Sequence, residues 1–286
     1  MAGEERDLTN RDDSRPVRVK VDNVKKIYNT KRVGHLGTLD PMAEGVLPVA
    51  IGKATKFFDY FLKKDKAYSA VFKCGVKTDT LDAEGKIEEE NDIVPTIEEV
   101  KIASQKFVGK IRQIPPKFSA KKINGIRAYS MARSGKDFEL KPNQVEIYSI
   151  LASNGSDDKL FNFEIECSSG TYIRSLGVDI LGSINTLATM VKLVRTRAGV
   201  FKIEDSFSLD KIEREPQKCL MSISNALKNV ENVVIDDNQF FKLKNGVSIP
   251  MQIEDGEYLV NYNEVCLGLA SVQNQILKLT INCLEE

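Results

Sequence analysis

The sequence predicts an α+β fold: one large domain built on a mixed sheet, followed by a small C-terminal β-barrel. Three observations carry this. Two runs alternate cleanly between apolar and polar residues, Tyr68–Val76 and Phe161–Cys167, as half-buried strands do. Helical patterns lie between and around them without the strict βαβ rhythm of a doubly wound sheet. Near the end, Glu257–Tyr262, Val265–Val272 and Ile276–Asn282 form three short strands whose close spacing fits a small barrel.

Each element has its own local reason. Residues 1–20 are polar and charged, without periodicity until Val17 and Val19, and read as a flexible segment. Val21, Val24 and Tyr28 stand at helical spacing. Val46–Ile51 is a short apolar run with the character of a buried strand, and Lys53–Lys64 reads as a helix burying Phe57, Phe61 and Leu62. Thr96-x-x-Glu99 is a capping box ahead of Val100, Ala103 and Phe107, with Gly109 as the stop. Ile126–Arg133 reads as a short helix stopped by Gly135. The strand ending at Cys167 runs into the turn Ser168-Ser169-Gly170, and Ile173, Leu176 and Ile180 mark the helix after it. Leu187–Val194 is apolar and ends in Arg195-Thr196-Arg197. Pro216 and its polar surroundings read as a linker, and Val233–Gly246 as a strand and a short helix closed by Asn245-Gly246.

Composition narrows the function. With 286 residues and 42% hydrophobic content the chain can fill real cores. No apolar stretch approaches the ~18 residues of a membrane span, and the polar N-terminus lacks a signal-peptide core. Five scattered cysteines without a CxxC pair, and a single histidine, argue against zinc and for reduced thiols packed as small hydrophobes in a cytoplasm. The lone histidine also removes Ser-His-Asp and metallohydrolase chemistry. Formal net charge is zero, yet charge is segregated. Lys106, Lys110, Arg112, Lys117, Lys121, Lys122 and Arg127 occur without an intervening acid, and basic residues also cluster over 15–31 and 192–202. Acids gather over 82–92. Such segregation gives a neutral protein a positive face suited to phosphates.

The chemistry centres on Gly34-His35-Leu36-Gly37-Thr38-Leu39-Asp40-Pro41. Glycines permit close approach and unusual backbone angles, and Pro41 turns Asp40 away from the α region. One carboxylate is thereby presented at a fixed angle. The run from Arg32 to Lys56 closely resembles the catalytic segment of the TruB-type tRNA pseudouridine synthases. Further matches follow in family order: Lys66-Ala67-Tyr68, Gly75-x-x-Thr78-Asp79-Thr80-x-Asp82-Ala83-x-Gly85, the stretch from Gln113 to Tyr129, Cys167–Leu176, and Leu193-Val194-Arg195-Thr196.

This resemblance implies a pseudouridine-synthase catalytic domain with a mixed, mainly antiparallel sheet over residues 21–228, carrying an RNA-facing insertion at about 106–140. A PUA-like RNA-binding barrel over 229–286 is implied with it. Asp40 falls in the catalytic position, Tyr68 at an active-site tyrosine and Arg174 at the essential arginine that would hold Asp40. His35, Leu193, Tyr172, Lys121, Lys122 and Arg127 fall at RNA-contacting places. The implied activity is isomerisation of the T-loop uridine of tRNA at position 55, by a cytoplasmic monomer needing no metal or other cofactor. An RNA-binding or tRNA-folding protein of the same fold is the alternative. The sequence offers no convincing second carboxylate paired with Asp40. It also departs from the family at its start. Where a Lys-Pro-x-Gly-x-Ser/Thr strand is expected, residues 11–17 read Arg-Asp-Asp-Ser-Arg-Pro-Val.

Overall fold

A computed structural model describes residues 15–119, 121–123, 125–134 and 138–284. In chain order it begins with α1 (Arg15–Ile27), β1 (Val33–His35), β2 (Glu44–Gly45) and β3 (Val49–Ile51). A 3₁₀ turn over Gly52–Phe57 runs into α2 (Phe58–Leu62). Then come β4 (Lys66–Cys74), β5 (Val76–Thr78), β6 (Ile87–Glu90), α3 (Ile97–Gln105), β7 (Gly109–Gln113), β8 (Lys122–Ile123), β9 (Ile126–Arg127) and α4 (Ala128–Arg133). Two long strands, β10 (Asn143–Asn154) and β11 (Leu160–Cys167), precede α5 (Ile173–Gly182), β12 (Ala188–Ala198) and β13 (Phe201–Lys202). The remainder is α6 (Leu209–Arg214), α7 (Ile223–Ala226), β14 (Glu231–Val234), α8 (Asp237–Lys244), β15 (Ile249–Pro250), β16 (Gly256–Tyr262), β17 (Val265–Gln273) and β18 (Ile276–Asn282).

The chain forms two compact units. One comprises Leu39–Leu47 and Lys63–Ser206; the other comprises the described residues up to Thr38, Pro48–Leu62 and Phe207 onward. Compactness thus groups residues 21–38, 48–62 and 207–228 with the C-terminal sheet. A small cluster of Phe57, Leu227, Leu259, Leu269 and Cys283 joins the last two segments to that sheet.

The first unit is a seven-stranded sheet in the order β13-β12-β4-β11-β10-β7, with β2 added alongside β12. Every pairing is antiparallel except β2 with β12, so the sheet is mixed and mainly antiparallel as expected. On β4 the alternation holds: Lys66, Tyr68, Ala70, Phe72 and Cys74 are all buried on one face. Phe72 meets Phe163 edge-on at 5.6 Å between ring centres. Ile173, Leu176, Ile180 and Leu181 of α5 belong to the same core. Gly177 lets that helix come close, since a Cβ there would lie 2.1 Å from Phe72 Cζ.

The second unit carries a five-stranded sheet, β14-β16-β17-β18-β15, around Ile235, Ile249, Val260, Leu267 and Leu277. Its edge strands do not pair with each other, so the expected barrel is an open half-barrel. β14 has four residues and β15 two, too short to close it.

Several expectations need correction. Residues 15–20 are helical, as the start of α1, while 1–14 lie outside the described residues. Only Val49–Ile51 of the run 46–51 is strand. The predicted helix over 53–64 is a 3₁₀ turn followed by a single α turn, with Phe57 buried and Phe61 and Leu62 half-buried. The capping box at Thr96 is present, but α3 ends at Gln105, and Gly109 (φ +104°) opens a strand instead of closing the helix. Ile126 and Arg127 belong to a β-hairpin before α4, and the Gly135 stop lies outside the described residues. The linker around Pro216 is a series of short helical turns, with Pro216 opening a 3₁₀ turn. Cys219 and Cys266 are half-buried, unlike the buried Cys74, Cys167 and Cys283. Among the described residues, no helix is long and apolar enough to cross a membrane.

Candidate active site

The loop around Asp40 is set by local chemistry on both sides. Gly37 adopts φ +125°, a region closed to most residues. Gly34 takes no such angle, and a Cβ there would meet only Thr55 Cγ2 at 4.0 Å. Beyond Pro41, the Asp40 carbonyl accepts the Ala43 N–H at 2.9 Å and closes a turn. The chain then zips onto β12: Gly45, at φ +100°, sits so close that a Cβ would lie 2.2 Å from the Arg195 carbonyl oxygen. Val46 donates its N–H to that same oxygen at 2.9 Å.

Arg174 meets Asp40 from the first turn of α5. Its Nε donates to Asp40 Oδ2 at 2.9 Å and its Nη2 to Oδ1 at 3.1 Å, a bidentate fork. Nη2 also donates to the Phe118 carbonyl at 3.0 Å. Nη1 donates to the Thr80 carbonyl at 2.8 Å and to Asp82 Oδ2 at 3.3 Å. All five guanidinium donors are therefore engaged. The Arg174 side chain is 6% exposed and that of Asp40 33%. The cation is sealed in while the carboxylate keeps an open side.

Asp82 is the site residue that the sequence reading missed, and it overturns the expectation that no second carboxylate stands with Asp40. It shares Arg174 with Asp40 and is 8% exposed. Its Oδ1 accepts from Thr80 Oγ1 at 2.7 Å and from the Glu84 N–H at 3.0 Å. Its carbonyl accepts from Thr78 Oγ1 at 2.8 Å. Gly85 completes the turn, because a Cβ there would strike Thr80 Oγ1 at 2.3 Å. The only sequence signal was its place in the run Thr78-Asp79-Thr80-x-Asp82, where it looks like one acid among many.

Tyr68 lies on β4 opposite Arg195 of β12. Burial pushes its phenol up to about 12, with the Arg195 charge and a side-chain hydrogen bond to Arg195 pulling the other way. Leu193 also faces inward, 4% exposed, within the main core. Tyr172 caps the start of α5, where Gln113, itself 1% exposed, clamps it. Gln113 Nε2 donates to the Tyr172 carbonyl at 2.9 Å, and its Oε1 accepts the Tyr172 N–H at 2.8 Å. Burial raises the Tyr172 phenol as well, and the negative charge of Asp40 adds to this.

The remaining expected contact residues are dispersed. His35 is half-buried on β1, in register with Val49 of β3. Lys121 donates its ammonium to the Lys141 carbonyl at 2.9 Å and to Asn143 Oδ1 at 2.7 Å, which ties the insertion to β10. Lys122 and Arg127 are cross-strand partners in the β8–β9 hairpin, and their side chains lie outside the described residues. Nearby, Arg133 stacks over Tyr129 at 4.5 Å, and Tyr129 meets Phe118 edge-on.

Residues 25–173 match the TruB family pseudouridylate synthase N-terminal domain. The chain is 41% identical over 238 residues to a tRNA pseudouridine synthase B of Borreliella burgdorferi, covering 83% of each chain. It is 38% identical over 260 residues to that of Mycoplasma mobile, covering 90% of this chain and 87% of the relative. Among solved structures, a Cbf5-Nop10-Gar1 complex superposes with a TM-score of 0.64 at 24% identity, over 88% of this chain and 73% of that one. An H/ACA RNP bound to a substrate RNA containing 2'-deoxyuridine gives 0.67 at 20%, over 94% and 81%. These two show a shared fold. The family match over half of the chain, with relatives this similar along most of their length, settles the assignment: the chain belongs to the TruB family of pseudouridylate synthases.

Proposed function

We propose that the chain isomerises the T-loop uridine of tRNA, at position 55, with Asp40 as the catalytic carboxylate. The bidentate pair of Asp40 with Arg174 carries this reading. Isomerisation breaks the N1–C1′ glycosidic bond, turns the base and forms a C5–C1′ bond, while the C5 proton leaves and N1 is protonated. A carboxylate serves as nucleophile toward sugar or base, or as a base at the sugar. It must stay ionised in a site closed to water, where desolvation favours the neutral acid. The guanidinium opposes that, and the open side of Asp40 leaves room for the reacting nucleoside. None of this calls for a metal or redox cofactor.

Tyr68 would offer its ring to the flipped base and its hydroxyl to a proton transfer. Leu193, Tyr172 and His35 would line or wedge the base. Lys121, Lys122 and Arg127 would meet phosphates, and the sheet over 229–286 would hold RNA as a PUA-like domain. Flipping a uridine costs a few kcal/mol, which phosphate contacts and stacking must offset. We take the working form to be a cytoplasmic monomer.

The test is tritium release from T-arm RNA carrying [5-³H]uridine. Wild type should release tritium and Asp40→Ala should not, with a loss on the order of 10⁴-fold or more and RNA binding retained. No release by either protein, with binding intact, would favour a tRNA-binding protein without catalysis. The departure at residues 11–17, where a Lys-Pro strand is expected and Arg-Asp-Asp-Ser-Arg-Pro-Val stands instead, is the observation that favours this second reading.

A further inference from the structure

Arg195 heads the fully buried side chains by volume among the described residues, at 1% exposed. A guanidinium placed so deep is costly to desolvate, so its partners must compensate. Two of them are functional in position. Its Nε donates to the Val46 carbonyl at 2.8 Å, while its own carbonyl accepts the Val46 N–H at 2.9 Å. One residue therefore holds both backbone polar groups of Val46, six residues beyond Asp40. The second is the Tyr68 phenol: Tyr68 and Arg195 stand directly opposite each other in the β4–β12 register, and both are buried.

We propose that Arg195 is a positioning residue of the isomerase, acting through the Tyr68 hydroxyl. An arginine has no acceptor, so between the opposed pair the phenol oxygen accepts and the guanidinium donates. The single phenol proton is then directed away from the guanidinium, toward whatever occupies the site. The hold on Val46 fixes the return of the Asp40 loop to the same strand. The proposal rests on the reading of Tyr68 as an active-site residue. Lysine at 195 would keep the charge but lose the planar fork that serves two partners in different directions.

A double-mutant cycle on the full chain with T-arm RNA tests this. Tyr68→Phe alone should lower kcat about 10- to 100-fold, the range of a lost charge-assisted hydrogen bond. Arg195→Met should lower kcat to a similar degree with KM within about twofold, the pattern of an interaction made in the transition state. Combining them should cost no more than Tyr68→Phe alone, and Arg195→Lys should recover part of the loss. If the double variant shows the product of the two single losses, or if folded Arg195→Met turns over normally, Arg195 does not act through Tyr68. If Tyr68→Phe itself keeps the wild-type rate, the reading of Tyr68 fails first and the proposal falls with it. Should Arg195→Met fail to fold, Arg195→Lys made with and without Tyr68→Phe completes the same cycle: a rate loss that vanishes beside Tyr68→Phe supports the proposal, and a loss of equal size in both backgrounds, or no loss in either, overturns it.

Discussion

Arg174 enters the site from the first turn of α5, and Arg195 from the middle of β12. Both are buried, and each holds a side chain to which we assign a part in catalysis, by different kinds of contact. Arg174 stands between two carboxylates, Asp40 and Asp82, with two carbonyls filling its remaining donors. The partners of Arg195 include the Val46 carbonyl and, across the strand register, the Tyr68 phenol, and burial draws its pKa below the ordinary value. The difference teaches what each does. A guanidinium wedged between carboxylates balances their charge and fixes the direction in which each points. One set against a phenol and a peptide holds shape and direction.

Removing Arg174 should break the comparison most severely. Arg174→Met leaves Asp82 buried without its cation, and lost partners of buried charges cost about 3–5 kcal/mol. The variant should melt well below wild type and release no tritium. Arg174→Met with Asp82→Asn should recover part of the stability, because the stranded charge is gone, but none of the activity. Thermal unfolding of both proteins checks this; equal melting temperatures would mean that Asp82 is not stranded by the loss.

How much of this was legible in the sequence depended on distance along the chain. The strand Leu160–Cys167 and helix α5 follow from local alternation and periodicity, and α3 from its capping box. The long strand β10 went unread, and its cause is visible. A bulge between Ile147 and Ser149 breaks the two-residue period, so Val145, Ile147 and Ile150 do not alternate cleanly. The role we propose for Asp40 came from a resemblance, because nothing local reveals a partner 134 residues away. Asp82 was hidden for a related reason. It stands at the head of an acidic, mostly exposed stretch, and its burial comes from a bridge to Met190 that the sequence does not announce.

Lys66 sharpens the comparison from the Arg195 side. Burial, with the Arg195 charge adding to it, pulls its ammonium down to about 8. An unfolded lysine titrates near 10.4. Between these values the unfolded chain binds more protons than the folded one, so this group adds stability as pH rises from about 8 to about 10.4. Below 8 the cost of burying the charge is constant. Lys66→Met should therefore be the more stable protein at pH 7, by up to about 3 kcal/mol, and its advantage should shrink toward pH 10.4. Denaturant unfolding across that range, as a difference between the two proteins, isolates the effect. A difference flat with pH would mean that Lys66 keeps its ordinary acidity in the fold.

The gentlest intervention moves one arginine and leaves the other alone. Gly177 lies one helical turn beyond Arg174, on the same face of α5. A methyl group there would sit 2.1 Å from Phe72 Cζ and 2.3 Å from Cε1, on a ring with no exposure. Phe72 is held edge-on by Phe163 and cannot yield cheaply, so in Gly177→Ala the helix must lift from the sheet. Overpacking of this kind costs about 1–3 kcal/mol. Lifting α5 also draws the Arg174 fork away from Asp40, while Arg195, on β12, stays in place. Gly182→Ala on the same helix is the control, since nothing lies within 4 Å of its added Cβ. It should be neutral, or stabilising by about 0.4–1 kcal/mol through the unfolded state. If Gly177→Ala lowers the melting temperature and kcat together while Gly182→Ala lowers neither, close approach of α5 to β4 is what sets the reach of Arg174. If Gly177→Ala melts lower but turns over normally, the Asp40–Arg174 pair tolerates a shifted helix and owes its geometry to Asp82, Thr80 and Phe118 instead.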